Sequence, residues 1–410
     1  MRADAARDGA LGRLAPRVAR LDGRAILDTV AAVRRHEAAG RRVAPLHVGE
    51  PHFDTPAHVI AAAVAAMRAG ETHYAPGAGT MELREAVAAH ARARGVASAR
   101  ADGVVVTSGA KPMLLYAILA LVRPGDVVLV PDPGFAAYAE MVRLAGGIPR
   151  TYRTCARRSI AVDVGHLASR VDARTRLVVL NAPHNPTGRT LDAATLAEIG
   201  AVAGHHDLAV LSDEIYHRTS YDGAAPSAGA EPSLAARTIV VDGVSKAYAM
   251  TGWRLGWGIM PPALAERVSA LVAHSTSCVP PFVQRAGVAA LTGPQDGAEA
   301  MVAELRARRD RLVAGLHDVP GLRCRMPRGA FYAWTDAREL CAWTGADDHA
   351  LARRLLDEAG VACFPGSAFG RRGAGHLRFS FAAGPAALDD GVARLREWAA
   401  RAVADARAVA

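Results

Sequence analysis

The chain has 410 residues, of which 51% are hydrophobic and 22% charged, and its formal net charge is +9 at pH 7. This composition is typical of a globular protein, and the length allows two domains, or one large domain with a smaller one beside it. The arginines are dispersed along the whole chain without a basic-aromatic run, so we expect no nucleic-acid binding.

Short apolar runs alternate with longer alanine-rich segments from about residue 100 to residue 260. The runs are apolar nearly throughout, as in strands buried on both faces of a mostly parallel sheet. Helices are predicted between them, for example over 111–122 and 191–206, and the alternation predicts an α/β domain. The predicted strands are VVVT (104–107), VVLV (127–130), RLVVL (176–180), LAVLS (208–212), TIVV (238–241) and LGWGIM (255–260).

After about residue 296 the pattern changes to a long charged helix, AEAMVAELRARRDRLVAGLHD (298–318), followed by a second region of strands and helices that includes LRFSFA (377–382). We therefore expect a large domain over 46–295 and a small domain over 296–410. Residues 1–45 are rich in arginine with a helical centre, and we expect them to form an N-terminal arm and part of the small domain.

The five cysteines lie far apart, and no CxxC pair occurs, so the sequence favours reduced thiols in a cytoplasmic protein and indicates no metal site. The first residues contain no apolar core of a secretory signal. No run of 18 apolar residues occurs, so no membrane span is predicted.

The segment TSGAKPMLLY (107–116) leads from a predicted strand through small residues directly into a helix. Backbone amides and the positive end of a helix dipole would then face one point, which suits a phosphate group. The segment matches neither the P-loop nor GxGxxG, so a nucleoside triphosphate or NAD is not favoured. A plain strand-to-helix connection is the alternative.

Three other predicted strands end in polar segments, at the edge where open α/β sheets bind ligands. These segments are NAPHNPTG (181–188), SDEIY (212–216) and VDGVSKAYAMTGWRLGW (241–257). In SDEIY, Asp213 has a helix cap as its alternative role. The last segment contains Lys246, and Lys111 is the other lysine among 49 basic residues. Unlike a guanidinium, an amine with a lowered pKa can act as a nucleophile. An asparagine, an aspartate and a lysine beside a phosphate turn suit pyridoxal phosphate.

The blocks YAPGAGTMELREA, NAPHNPTG, SDEIY, SKAYAMTGWRLG and RGAFY, in this order, resemble the pyridoxal-phosphate-dependent class I/II aminotransferases of fold type I. The match extends from HVGEPHFDTP near residue 47 to HLRFSFA near residue 376. The resemblance implies a large cofactor-binding domain with a mostly parallel central sheet flanked by helices, and a smaller α/β domain. It also implies a homodimer with shared active sites.

The resemblance assigns roles to residues around the cofactor ring. Lys246 would hold the cofactor as a Schiff base and move the proton between the substrate and the cofactor. Asp213 would pair with the ring nitrogen, Asn185 and Tyr216 would bond the phenolic oxygen, and Phe135 would stack on the ring.

The resemblance also assigns the groups that bind the phosphate and the substrate. Those expected at the phosphate are Gly109, Ala110, Lys111, Ser245 and Arg254, with Tyr74 reaching the phosphate of the neighbouring subunit. Arg378 and the backbone of Gly49 would hold the substrate α-carboxylate. A surface position at a strand edge is the alternative for Arg378.

The implied reaction moves an amino group from an L-amino acid to a 2-oxo acid. His274 stands about where dicarboxylate-specific members have an arginine, so we expect neutral or aromatic donors, with Tyr116, Phe135 and Phe282 beside their side chains. A lyase or a cyclising synthase on the same scaffold would share every cofactor residue. A regulator with a DNA-binding domain is less favoured, because only about 45 residues precede HVGEP.

Overall fold

A computed structural model describes residues 14–19, 21, 24–154 and 161–409. Its largest sheet has seven strands in the order β1-β7-β6-β5-β4-β2-β3. Neighbouring strands from β6 to β3 run parallel, whereas β7 is antiparallel to both of its neighbours. The strands are β1 (Val104–Thr107), β2 (Val127–Asp132), β3 (Ile148–Arg153), β4 (Thr175–Asn181), β5 (Ala209–Asp213), β6 (Thr238–Gly243) and β7 (Gly256–Ile259).

All six strands predicted from apolar runs are present within a few residues of the predicted bounds, and β3 is an additional edge strand. Helices cover both faces of the sheet, because strands that are apolar on both faces need a cover on each. These helices are α3 (Ala57–Arg68), α4 (Met81–Ala93), α5 (Ala110–Leu121), α6 (Ala137–Leu144), α7 (Val164–Ala168), α8 (Ala193–His205), α9 (Val244–Ala247), α10 (Pro262–Ser275) and α11 (Pro281–Thr292).

A second, antiparallel sheet of four strands in the order β10-β11-β9-β8 lies in the C-terminal part. It packs with four helices around a core that includes Leu305, Phe331, Phe379 and Trp398. The elements are α12 (Asp296–His317), β8 (Arg323–Cys324), β9 (Tyr332–Asp336), α13 (Arg338–Thr344), α14 (Asp348–Ala359), β10 (Phe364–Pro365), β11 (His376–Ser380) and α15 (Pro385–Val409).

The described N-terminal residues contact this C-terminal part. They form α1 (Pro16–Ala19) and α2 (Arg24–Ala38), and Ala32 and Val33 of α2 pack on Leu356 and Ala362. The amide of Ala44 donates to Gly360 O at 2.8 Å. Residues 1–13, at the start of the predicted arm, lie outside the described residues.

The described cysteines, at positions 278, 324, 341 and 363, are free thiols, and Cys155 lies outside the described residues. Among the helices that the structure describes, none combines the length and the apolar character that a membrane span requires.

The sheet register brings the polar strand ends together. Asn181 at the end of β4 pairs with Asp213 at the end of β5, and Asp213 pairs with Val241 of β6. Gly243, two residues further along β6, leads directly into α9, which contains Lys246. Because these parallel strands end at one edge, the three predicted segments meet there.

Candidate active site

A cavity of about 350 Å³ lies at this edge of the sheet. The predicted site residues that line it are Gly49, Ala110, Lys111, Phe135, Asn185, Asp213, Tyr216, Ser245, Lys246, Arg254 and Arg378. Gly109 does not line the cavity, but a Cβ atom added to it would meet Arg254, which does. Tyr74 does not line this cavity and is 88% exposed. His274, Tyr116 and Phe282 do not line it either, so the predicted contact of Tyr116 and Phe282 with the donor side chain is not present in this cavity.

Lys246 directs its amine into the cavity from the short helix α9. Its Nζ donates to the backbone oxygen of Gly49 at 2.7 Å. Burial lowers the pKa of this amine to about 8, and the positive charges of Arg254 and Arg378 act in the same direction against the opposing effect of Glu50. At pH 7 about a tenth of the amine is therefore unprotonated, far more than at the ordinary pKa of a lysine, and a nucleophile or a general base requires this form.

Asp213 is a buried carboxylate with two hydrogen-bond donors. Tyr138 Oη donates to Oδ2 at 2.6 Å, and the amide of Ile215 donates to Oδ1 at 3.2 Å. Burial raises the pKa of Asp213 to about 6 although both donors act to lower it. A turn follows at residues 215–218, so the helix-cap alternative is wrong. A cation beside this carboxylate would offset the cost of its burial.

The segment after β1 forms a cradle at the start of α5. Gly109 has φ +92°, and a Cβ atom there would lie 2.3 Å from Nη2 of Arg254. Arg254 itself has φ +55°, and its Nη1 donates to Thr251 O at 2.8 Å. The amides of Ala110 and Lys111 begin the helix beside this guanidinium. A helix N-terminus with a guanidinium against it fits a phosphate group.

Arg378 enters the cavity from β11 and is only 5% exposed, so the surface alternative is wrong. Its Nη1 donates to Asn185 Oδ1 at 2.9 Å and its Nη2 to His47 O at 3.0 Å. Tyr332 and Phe369 cover the guanidinium, with ring centroids 4.1 and 4.7 Å away. Among the described residues its buried Nε has no hydrogen-bond partner. Burial lowers the pKa of Arg378. An anion bound beside the guanidinium would offset the cost of burying this charge.

Tyrosines complete the wall next to Arg378. The hydroxyl groups of Tyr216 and Tyr332 lie 2.8 Å apart, and burial raises the pKa of Tyr216. A Cβ atom at Gly49 would lie 2.6 Å from Tyr332 Oη, so a side chain at that position would displace the Tyr332 hydroxyl. Asn185 is held through its amide, which donates to Asn181 Oδ1 at 2.8 Å.

Four of these contacts were not predicted: Asn181, Tyr138, Tyr332 and the backbone of His47. Tyr138 follows Phe135 by three residues, and the two rings pack edge to face with centroids 5.5 Å apart. Residues three positions apart lie on the same face of a helix, so the spacing in PGFAAY indicates that the two rings are neighbours at the start of α6. Tyr332 ends the block RGAFY, which supported the resemblance without receiving a role.

Together these groups are an amine of lowered pKa, a buried carboxylate, a phosphate cradle and a buried guanidinium around one cavity. They match the aldehyde, ring nitrogen and phosphate of pyridoxal phosphate and the carboxylate of an amino acid. The described residues therefore fit this cofactor, as in the pyridoxal-phosphate-dependent enzymes of fold type I.

The chain belongs to the aminotransferase class I and II family, whose sequence model matches residues 41–395. It is 37% identical to an aspartate aminotransferase of Geobacillus stearothermophilus over 94% of this chain and 98% of that protein. It is 36% identical to an arginine–pyruvate transaminase of Pseudomonas aeruginosa over 90% of this chain and 92% of that protein.

Solved structures agree with this assignment. The crystal structure of an aspartate aminotransferase from Rhizobium meliloti superposes with a TM-score of 0.90 at 34% identity, covering 95% of this chain and 99% of the other. The predicted fold type I architecture and the predicted family are thereby confirmed.

Proposed function

We propose that the protein binds pyridoxal phosphate through Lys246 and transfers an amino group from an L-amino acid to a 2-oxo acid. The observation that carries this proposal is the buried amine of Lys246, with a pKa of about 8, in one cavity with Asp213 and Arg378. The family, whose members depend on this cofactor, supports it.

Each residue has a physical task in this reaction. When bound, pyridoxal phosphate accepts the electrons of the bond that breaks at the substrate α-carbon. Asp213 would keep the ring nitrogen protonated, since an adjacent carboxylate raises the pKa of a cation. Arg378 would leave Asn185 and bind the α-carboxylate with two parallel hydrogen bonds, which orients the α-carbon. Lys246 would take the proton from that carbon as a general base.

The two lysines provide a direct test. Borohydride reduction of the enzyme with its cofactor, followed by peptide mapping, should label Lys246 and not Lys111. Lys246→Ala should lower transamination at least about a thousandfold, because it removes both the covalent anchor and the base. Lys111→Ala is the matched control and should remain labelled at Lys246. A label on Lys111 would disprove the assignment.

We propose neutral or aromatic amino donors. Ile26, Leu114, Phe364 and Phe369 line the cavity beside the catalytic groups and offer apolar contacts to a side chain. Four cationic residues are in the described lining of the cavity. The side chains of Lys246, Arg254 and Arg378 already have roles at the cofactor or the α-carboxylate. The fourth, Lys111, contributes its backbone to the phosphate turn. An unpaired second carboxylate would cost several kcal/mol when buried. A tenfold higher kcat/KM for aspartate or glutamate than for phenylalanine, leucine and alanine would contradict this preference.

Dicarboxylic donors are a second candidate, favoured by one observation. The phosphate turn uses the backbone of Lys111, and the Lys111 side chain places its Nζ 5.2 Å from the Phe135 ring centroid at the cavity wall. That ammonium could pair with a second carboxylate. Similar proteins include enzymes named aspartate aminotransferase.

Lys111→Met separates the two donor classes, because it keeps the length of the side chain and removes the charge. If dicarboxylates are the natural donors, kcat/KM for aspartate should fall about tenfold or more while that for phenylalanine is unchanged. If neutral donors are natural, both values should change little. Stoichiometric keto acid, without release of ammonia, would separate either case from a lyase or a cyclising synthase.

We also propose a cytoplasmic homodimer in which the two chains share their active sites. The described cysteines are free thiols, as in a reducing compartment. Tyr74 is 88% exposed and does not line the cavity of its own chain, as expected of a residue that contacts a partner chain.

A further inference from the structure

Two histidines and an aspartate meet next to the ends of β5 and β6. His90 belongs to α4, His217 lies in the turn after β5, and Asp242 lies in β6. Each offers one possible ligand atom, and these atoms lie within 4.8 Å of one another. The histidines are half-buried and Asp242 is buried. None of the three lines the cofactor cavity, so the proposed amino transfer leaves this cluster without a role.

The neighbours of His217 fix the position of its hydrogen. Its Nδ1 lies 3.0 Å from Asp242 Oδ2 and 3.2 Å from the backbone oxygen of Glu214, and both oxygens accept hydrogen bonds. Nδ1 therefore carries a hydrogen, which leaves Nε2 as the ring nitrogen that can bind a ligand. That Nε2 lies 3.3 Å from Nε2 of His90. A carboxylate behind the imidazole is the arrangement that orients histidine ligands of metal ions.

The placement of the two rings matches two imidazoles on one tetrahedral ion. With Zn–N bonds of about 2.0–2.1 Å, two ligand nitrogens lie about 3.3 Å apart and the ring centroids about 5.2 Å apart. In the structure the nitrogens of His90 and His217 are 3.3 Å apart and the ring centroids 5.3 Å. A straight hydrogen bond with the same separation of nitrogens would place the centroids about 5.6 Å apart. Both separations are therefore close to those of two imidazoles on one ion.

The charges around the pair permit a cation. Arg94 and Arg218 oppose a cation, but the carboxylates of Glu214 and Asp242 balance them, and Arg94 bonds to both carboxylates. With these charges offset, the affinity must come from the imidazole nitrogens. Those suit zinc, nickel and copper ions better than magnesium or calcium.

We propose that His90 and His217 bind a divalent transition-metal ion, with zinc as the expected occupant, while Asp242 orients His217 and water completes the coordination. The ion would tie α4 to the turn that begins beside Tyr216. This site is separate from the proposed amino transfer and departs from the sequence expectation of no metal, which rested on the spacing of cysteines alone.

Calorimetric titration of the EDTA-treated, cofactor-loaded enzyme with zinc chloride tests this site. We expect one zinc ion per chain, with the affinity roughly tenfold or more lower in His90→Gln and in His217→Gln. A glutamine at position 90 keeps an N–H group for His217 Nε2, so the fold should tolerate it. His205→Gln is the control, because His205 lies beside another histidine, His206, with ring centroids 4.6 Å apart. It should bind zinc like the unchanged protein.

Absence of saturable 1:1 binding would overturn the proposal, as would binding that survives in both variants or is lost in the control. X-ray absorption of the zinc-loaded enzyme gives a second readout that does not depend on how a variant folds. It should show two imidazole nitrogens at about 2.0 Å. A bound zinc ion without two imidazoles would equally overturn the assignment to His90 and His217.

Discussion

Asp213 carries a cost that the cofactor would relieve. In the protein without cofactor its pKa is raised from 3.8 to about 6, since burial disfavours the ionised form. Below about pH 4 the carboxyl is protonated in both the folded and the unfolded chain, so it adds no penalty. Between about pH 4 and pH 6 the unfolded chain gives up this proton while the folded chain keeps it, so stability is lost as the pH rises through that window. Above about pH 6 the carboxyl is ionised in both states, and the loss is complete.

Asp213→Asn should expose this cost in the cofactor-free protein. At about 1.4 kcal/mol per pKa unit, the variant should gain up to about 3 kcal/mol relative to the unchanged protein between pH 4 and pH 7.5. Urea unfolding of both proteins at the two pH values measures the difference, and other titrating groups cancel between them. The same variant should lose most of its turnover when loaded, because an amide cannot hold the ring nitrogen protonated. An equal stability difference at both pH values would show that the pKa of Asp213 is not raised.

The identity of the site residues could be predicted from the sequence, whereas the side chains that contact them could not. Asp213, Asn185 and Lys246 follow buried strands in recognisable segments. The side chain that donates to Asp213 is Tyr138, which is 75 positions away in the sequence. Contacts between remote segments depend on the packing of α6 against the sheet, which no local pattern encodes.

At the scale of elements, the start of α5 depends on the backbone of Gly109. Its φ of +92° and ψ of 164° place it in a region that side chains rarely allow, and Arg254 fills the space where a Cβ atom would lie. This turn orients the backbone amides of Ala110 and Lys111, which follow it. The backbone conformation and the guanidinium thus form the phosphate cradle together.

Gly109→Ala should therefore weaken cofactor binding about tenfold or more, because it strains the turn and displaces Arg254. Gly125→Ala is the matched control, since Gly125 has φ +88° but nothing within 4 Å of its Cβ position. Both variants should lose about 1–2 kcal/mol or more of folding stability, and only Gly109→Ala should lose affinity for pyridoxal phosphate. Equal cofactor affinities in the two variants, measured by fluorescence titration, would refute a role for this turn in the cradle.

The strands show which elements a sequence reveals. Those in the interior of the sheet are apolar on both faces and were predicted. β3 was missed because its residues are mostly exposed or half-buried, in the sequence IPRTYR, whereas the other edge strand, β1, is buried throughout and was predicted. The antiparallel direction of β7 was not predicted either, because an apolar run such as GWGI carries no sign of its direction within the sheet.

At the scale of the whole molecule, the site is assembled from distant parts of the chain. Asp213 ends β5 of the seven-stranded sheet and Lys246 lies in α9, which follows β6, whereas Arg378 comes from the C-terminal sheet. The expected domain limits at residues 45 and 295 stay predictions, as does the proposed contribution of a second chain. Tyr74 is the residue through which that contribution can be tested, since it lies outside its own cavity.

Mixing two defective chains should restore activity if Tyr74 serves the partner's site. In a heterodimer of Lys246→Ala and Tyr74→Ala chains, one site would carry both defects, while the other would combine an intact Lys246 with an intact Tyr74. Random exchange of subunits would then leave about a quarter of all sites intact. At a cofactor concentration that does not saturate Tyr74→Ala, the mixture should exceed the mean of the two separate proteins. If Tyr74 acted within its own chain, every site of the mixture would keep one defect, and activity would equal that mean.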